Sequence, residues 1–340
     1  IILTLILAML LFTLSGCNGN KISTSADDKN GEIQSYSLEL AMDSPEDTVT
    51  YLFGKKFAEL VYKKSNGRIN ITVYSNGQLG GDREICESVQ NGDIAFVVQN
   101  TAPQVNFVPE LAVFDLPNIF PNTEVARKVL DGPFFDIIAK KYEENNIKLL
   151  AYADQGFRVM TTNKKIEKIE DFKGQKIRTM ENPYHIEYWQ SLGANPTPMA
   201  FAEVYLGLQQ GTIDAQENPY EVIVANKFYE QQKYVINTNH LLHLISLITN
   251  VQFFNGLSEE DQKIILDAAE EAKVWAREQA DLRVENRINT ILKNGVEVFD
   301  LNDELRKEIV EKSKTVYEKI RNIIGDELVD IILKSVEEVQ

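Results

Sequence analysis

Two arginines carry the most informative chemistry in this sequence. Arg178 lies in Lys176-Ile177-Arg178-Thr179-Met180, a short stretch with two β-branched residues between Gly174 and the Asn182-Pro183 pair, which predicts a strand ending in a turn. Arg158 lies in a second such stretch, Gln155-Gly156-Phe157-Arg158-Val159-Met160. Each guanidinium falls near a strand edge, where open α/β sheets collect ligands, and its fork of fixed donors suits a carboxylate or phosphate. A surface ion pair is the alternative fate of either side chain. The residues by themselves leave both readings open.

Other reactive groups point away from catalysis. The sequence contains no GxSxG elbow, no HExxH zinc helix, no Walker loop and no GxGxxG, so it offers no motif for a nucleophile, a metal or a nucleotide cofactor. His240 and His243 have a ligand-like spacing, but Leu241, Leu242 and Leu244 set them in an apolar context, which reads as two structural histidines. His185 stands alone on a predicted helix and is read the same way. No cofactor and no metal are expected. An extracytoplasmic hydrolase, with Arg178 orienting an acidic substrate, is the enzymatic alternative to a binding protein.

The elements that must position the arginines are legible from periodicity. Tyr36 to Met42 alternates as a strand, Thr48 to Lys63 carries Leu52, Phe53, Phe57, Leu60 and Val61 at helical spacing, and Ile69 to Tyr74 alternates again. A helix over about 83–90 and the apolar run Ile94 to Val98 complete a βαβαβ pattern, which argues for a mostly parallel sheet with helices on its faces. Helices are predicted at Thr123 to Leu130 and Phe134 to Glu144, then a strand at Ile147 to Tyr152, with Gly156 as a loop hinge before the next strand. A second βα cluster occupies roughly 157–245. In it Asn195-Pro196-Thr197-Pro198 reads as a rigid turn, Phe201 to Gln210 as a helix closed by Gly211, and Ile213 to Ala215 as a very short strand. From Ser258 to Gly295 there is neither internal Gly nor Pro, and Ser258-Glu259-Glu260-Asp261 is an acidic start suited to a long helix of about 55 Å. Leu305 to Ile324 and Glu327 to Val339 continue as helices. The fold class is therefore α/β with two lobes.

The chain opens on an apolar run, Ile1 to Leu14, which leads into Leu14-Ser15-Gly16-Cys17, a segment that resembles a bacterial lipobox in which Cys17 becomes the lipid-bearing residue. The run is shorter than the ~20 residues a spanning helix needs. Residues 18–35 are polar and read as a flexible tether. Residues 1–16 carry no charged side chain, so the net charge of −16 belongs entirely to residues 17–340 and argues against nucleic acid or anionic lipid as a partner. With Cys17 lipidated, Cys86 alone remains, and no disulfide framework is available.

The ordered signatures Gly77-Gln78-Leu79-Gly80-Gly81-Asp82-Arg83-Glu84, Gly156-Phe157-Arg158, Lys176-Ile177-Arg178, Leu192 to Met199, Phe201-Ala202-Glu203-Val204-Tyr205 and Asp214 to Pro219 give the chain a family likeness. It resembles the DctP-type solute-binding proteins of TRAP (tripartite ATP-independent periplasmic) transporters. The resemblance implies a two-lobed periplasmic-binding-protein-like (type II) fold with crossing connections and a long helix spanning both lobes. Residues 36–155 with about 245–283 would form the first lobe, and 156–244 with about 284–340 the second. It also implies that Arg178 salt-bridges a ligand carboxylate, that Arg158 assists, that Asn218 fixes the geometry and that Phe201 lines the pocket, with Asp43, Asp82, Gln99 and Asn100 contributed by the first lobe. The sialic-acid-binding branch carries a Glu and an Arg where this sequence has Asn100 and Pro103. A smaller dicarboxylate or a sugar acid is the implied ligand. The implied partners are a small and a large membrane subunit, and a ligand-presenting sensor or chemoreceptor subunit is the alternative with the same fold.

Overall fold

The computed structural model describes residues 34–340. The expected leader, Cys17 and nearly all of the tether lie outside the described residues. Among those described, no helix is long and apolar enough to cross a membrane.

Eleven strands are present among the described residues: β1 Tyr36–Ala41, β2 Ile69–Tyr74, β3 Phe96–Asn100, β4 Ile147–Phe157, β5 Val159–Thr162, β6 Lys176–Thr179, β7 Asn195–Pro198, β8 Ala215–Asn218, β9 Tyr234–Asn237, β10 Leu242–Asn250 and β11 Glu297–Asp300. They form two sheets, ordered β2-β1-β3-β10-β4 and β11-β9-β5-β8-β6-β7. In the first, β1 runs parallel to β2 and β3, and β10 is antiparallel to β3 and β4. In the second, β5 is antiparallel to β8 and β9, while β6 is parallel to β7 and β8. The strand that runs against its neighbours in each sheet is therefore the one that has just arrived from the other lobe. These two crossings, at Phe157–Arg158 and at 238–241, place the lobes side by side.

A third connection is the helix Glu259–Lys293, whose 35 residues span about 52 Å at 1.5 Å each. Ser258 caps its start by accepting from Asp261 N at 3.1 Å. One end packs on the helix Val49–Lys64 and on β4, and the rest reaches the helix Tyr220–Ala225 and β11 of the other lobe. Ile265, Ala268, Ala272 and Ala276 form its buried stripe, while Ile264 and Trp275 are only half buried. The C-terminal helices Lys314–Ile324 and Asp326–Val339 bridge the lobes from behind, touching the helix Pro183–Ser191 on one side and Pro109–Asp115 and Thr123–Leu130 on the other.

The structure departs from the sequence expectations locally. β4 continues through Gly156 to Phe157 rather than stopping at Tyr152, because β10 supplies partners along its length, from Asn250 opposite Ile147 to Leu242 opposite Phe157. Asn195-Pro196-Thr197-Pro198 is a strand rather than a turn. It pairs parallel with β6 at the sheet's edge, where prolines lacking an N–H are tolerated. The short strand near Ile213 begins instead at Ala215 and ends on Asn218, and the segment Leu305–Ile324 is broken at Ser313.

Candidate functional site

Alternation along β6 buries Ile177 in the second lobe's core and turns Arg178 the other way, into a cavity between the lobes. Arg178 is 2% exposed. Its Nε and Nη2 donate to Met199 O at 3.0 and 2.7 Å, a carbonyl just beyond the strand that pairs with β6, and its Cζ lies 5.8 Å from the Phe201 ring centroid. No carboxylate among the described residues lies within ion-pairing distance of it. Burial pulls its pKa down to about 10, with the Arg158 charge adding to that effect and the Glu217 carboxylate opposing it.

Six of the residues implied by the family likeness meet at this cavity: Asp43, Asp82, Asn100, Arg178, Phe201 and Asn218. Asp43 comes just after β1, and Asp82 begins the helix Asp82–Asn91, so both acids come from the first lobe. Burial and the neighbouring Asp43 push the Asp82 carboxyl well above the usual range, and burial likewise raises Asp43. Asn100 is largely committed to the backbone, accepting from Ala102 N at 2.8 Å and donating to Leu244 O of β10 at 3.0 Å.

Two expected residues are not on the cavity wall. Gln99 alternates to the other side of β3, where its Nε2 donates to Asp82 O at 3.3 Å. Arg158 is 1% exposed and committed to Glu217: Nε donates to Oε2 at 2.5 Å and Nη2 to Oε1 at 2.9 Å, with Nη2 also reaching Asn218 Oδ1 at 3.1 Å. Asn218 in turn donates to Gln216 Oε1 at 2.7 Å, so Arg158 acts on the cavity through Asn218. Burial alone would raise the Glu217 pKa, but the Arg158 charge and the histidines beside it hold it well below the usual carboxylate range.

All three histidines of the sequence surround this ion pair. His240 Nε2 donates to Glu217 Oε2 at 3.1 Å, and His185 bridges from Asp115 Oδ1 (3.0 Å) towards Glu217 Oε1 (3.7 Å). His243 takes a hydrogen bond from Arg158 Nη1 on Nδ1 and also lines the cavity. The structural reading of His240 is consistent with its place, whereas His243, with Ser44, Met180 and Val222, is a wall residue that sequence reasoning missed. Its only signal was the His-x-x-His spacing, masked by the leucines around it. Cys86 is buried and its thiol pKa is pushed up by burial, so it packs as an apolar residue.

A second cavity lies where the two crossings meet the long helix, lined in part by Gln155, Gly156, Asn239 and Val284. It holds none of the expected binding residues, and its charged groups are already paired, Arg287 with Glu221 and Asp281 with Arg127. No cluster of metal-ligating side chains occurs among the described residues.

The arrangement can hold a small anion out of water, with, on one wall, a guanidinium that has no carboxylate partner among the described residues and, on the other, two carboxyls. Comparison with known proteins gives the family. The profile of bacterial extracellular solute-binding proteins, family 7 (DctP), matches residues 40–322. The chain is 30% identical to the C4-dicarboxylate-binding protein DctB of Bacillus subtilis over 93% of its own length and 91% of that protein. It is 32% identical to the 2,3-diketo-L-gulonate-binding periplasmic protein YiaO of Escherichia coli, covering 77% and 80% respectively. Among solved structures, the sugar acid binding protein DctPAm of Advenella mimigardefordensis in complex with galactonate superposes with a TM-score of 0.87 at 31% identity, over 91% of this chain and all of that one. A TRAP periplasmic solute-binding protein of Polaromonas bound to D-erythronate gives 0.83 at 34%, over 87% and 98%. These relatives are solute-binding proteins and not enzymes, and with the profile match across its length this chain belongs to the DctP family of bacterial extracellular solute-binding proteins.

Proposed function

We propose that the protein is the extracytoplasmic receptor of a TRAP transporter, which captures a small carboxylate between its lobes and delivers it to ion-gradient-driven membrane subunits. One observation carries the reading: Arg178 is a buried guanidinium with no carboxylate of its own among the described residues, facing an interlobe cavity. An isolated buried charge is costly, and a ligand carboxylate is the partner that would relieve it. A charge pair at about 4 Å is worth on the order of 4 kcal/mol at an effective dielectric near 20, and lobe closure around the acid would strengthen it by expelling water. Family relatives named for dicarboxylate, keto-acid and sugar-acid binding support a carboxylate ligand.

Calorimetry on the chain lacking residues 1–17 tests this, with dicarboxylates, sugar acids and keto acids offered in turn. Micromolar or tighter binding of one of them, lost in Arg178→Ala, is expected; no ligand across the set would reject the reading. Lipidation at Cys17 is the proposed attachment to the membrane. Metabolic labelling with an alkynyl fatty acid should mark the wild-type protein and leave Cys17→Ala unlabelled.

A further inference from the structure

The cavity's two walls differ in charge, and that difference restricts what can fill it. On the second-lobe side stands Arg178, while the positive charge of Arg158 is already taken by Glu217. On the first-lobe side stand Asp43 and Asp82, with Ser44 donating to Asp43 Oδ1 at 3.4 Å. His243 adds a directed donor. Arginine can only donate, so the contact from Arg158 makes Nδ1 the acceptor and leaves the ring proton on Nε2, for which the described residues supply no partner. Burial, reinforced by the Arg158 charge, keeps His243 neutral by holding its pKa well below the ordinary value.

We infer that the ligand is a monocarboxylate bearing several hydroxyls, an aldonate-type acid, and that Asp43 and Asp82 read its hydroxyls while excluding dicarboxylates. A hydroxyl donates to a carboxylate and accepts from His243 Nε2–H, so a polyhydroxy chain satisfies the wall opposite Arg178. A second carboxylate in the same place would face the Asp43–Asp82 pair with no free cation beside it among the described residues; burial and mutual repulsion favour a proton within that pair, and the negative charge that remains on it opposes a further carboxylate. Like charges so juxtaposed cost several kcal/mol. The next cation outward is Arg83, exposed in the outer mouth of the cleft with Glu84 beside it. This inference rests on the receptor reading above and narrows it.

Matched pairs of acids differing only at the far carbon isolate the effect. Erythronate against meso-tartrate, and galactonate against galactarate, should be compared by calorimetry on the protein without residues 1–17. The hydroxy monoacid of a pair is expected to bind about 100-fold more tightly. The double variant Asp43→Asn with Asp82→Asn should narrow that gap at least about tenfold by improving the diacid, since it removes whatever charge the pair holds and keeps the shape. Equal or tighter binding of the diacid would overturn the inference while leaving the carboxylate receptor intact, as would diacid binding that disappears in Arg83→Ala. If every acid failed to bind, the receptor reading would fall, and this one with it.

Discussion

Arg158 Nε lies 2.5 Å from Glu217 Oε2 and its Nη2 lies 2.9 Å from Oε1, so this guanidinium spends its charge inside the protein. Arg178, on β6, spends none of its own on a carboxylate among the described residues. Two arginines that look alike in the sequence therefore differ in their surroundings: Arg158 is neutralised within the wall, and Arg178 has no carboxylate partner among the described residues, which is the basis of the proposed ligand contact.

Removing Arg158 should damage the fold. Arg158→Ala leaves Glu217 buried and facing only histidines, and breaking one side of such a pair costs about 3–5 kcal/mol. Urea unfolding should show the midpoint falling accordingly. A loss under about 1 kcal/mol would mean that the pair is not the structural unit described.

Removing Arg178 should do the opposite. In Arg178→Ala the ligand loses its anchor, at about 2–5 kcal/mol, or roughly 30-fold and upward in Kd. The ligand-free protein should melt no lower than the wild type, because a buried charge without a partner has been deleted. Thermal melts with and without ligand separate the two effects. A large drop in the ligand-free melting temperature would show that Arg178 supports the fold.

Acid should weaken the protein through the histidines beside Glu217. Burial, with the Arg158 charge, holds His240 and His243 below the ordinary 6.5, so the unfolded chain takes up their protons first as pH falls. Their contribution is complete above about pH 6.5 and is lost as pH falls through the folded values. Glu217, depressed by Arg158 against the effect of burial, acts with the same sign below about 4.5. His185 has the opposite sign: burial would lower its pKa, but Asp115 raises it, so its contribution is present below 6.5 and lost as pH rises through the folded value. Comparing His243→Gln with the wild type isolates one group. Urea unfolding between pH 6.5 and 5 should show a shallower decline in the variant, and parallel slopes would reject the assignment.

Asn182 is fully buried where the lobes meet. Its Oδ1 caps the helix Pro183–Ser191 by accepting from Tyr184 N at 2.7 Å and His185 N at 3.0 Å, while Nδ2 donates to Ala102 O at 2.9 Å and Asp115 Oδ2 at 2.7 Å of the other lobe. Asn182→Ala should cost about 1 kcal/mol for the cap and a further 1–3 kcal/mol for the buried acceptors left unpaired. Asn182→Asp keeps the cap and loses the cross-lobe donor. Chemical denaturation of the two variants, alongside small-angle scattering to read lobe separation, should show the Asp variant more open than the wild type; an unchanged scattering profile would count against the cross-lobe role.

Much of the fold was legible from periodicity because long amphipathic elements announce themselves. Val49–Lys64 shows its buried face at helical spacing, and Glu259–Lys293 shows its cap and its freedom from glycine and proline. β7 was not legible, since Asn195-Pro196-Thr197-Pro198 has the composition of a turn and becomes a strand only because β6 offers it an edge. The full length of β4 was hidden for the same reason: its last residues are held by β10, which lies far along the chain. Local preference cannot report a partner that distant in sequence.

The sequence by itself determined an α/β protein whose residue order matches a solute-binding family, with Arg178, Asp43, Asp82 and Asn218 at positions that could meet a ligand. It could not apportion charge. Whether an arginine is free depends on which carboxylate lies within a few ångströms, and Glu217 reaches Arg158 only because β5 and β8 run antiparallel with Met160 opposite Glu217. His243 became a wall residue through the same packing, taking its tautomer from Arg158. Only the tertiary structure decided these things, because electrostatic partnership depends on distance in space and burial rather than on spacing along the chain.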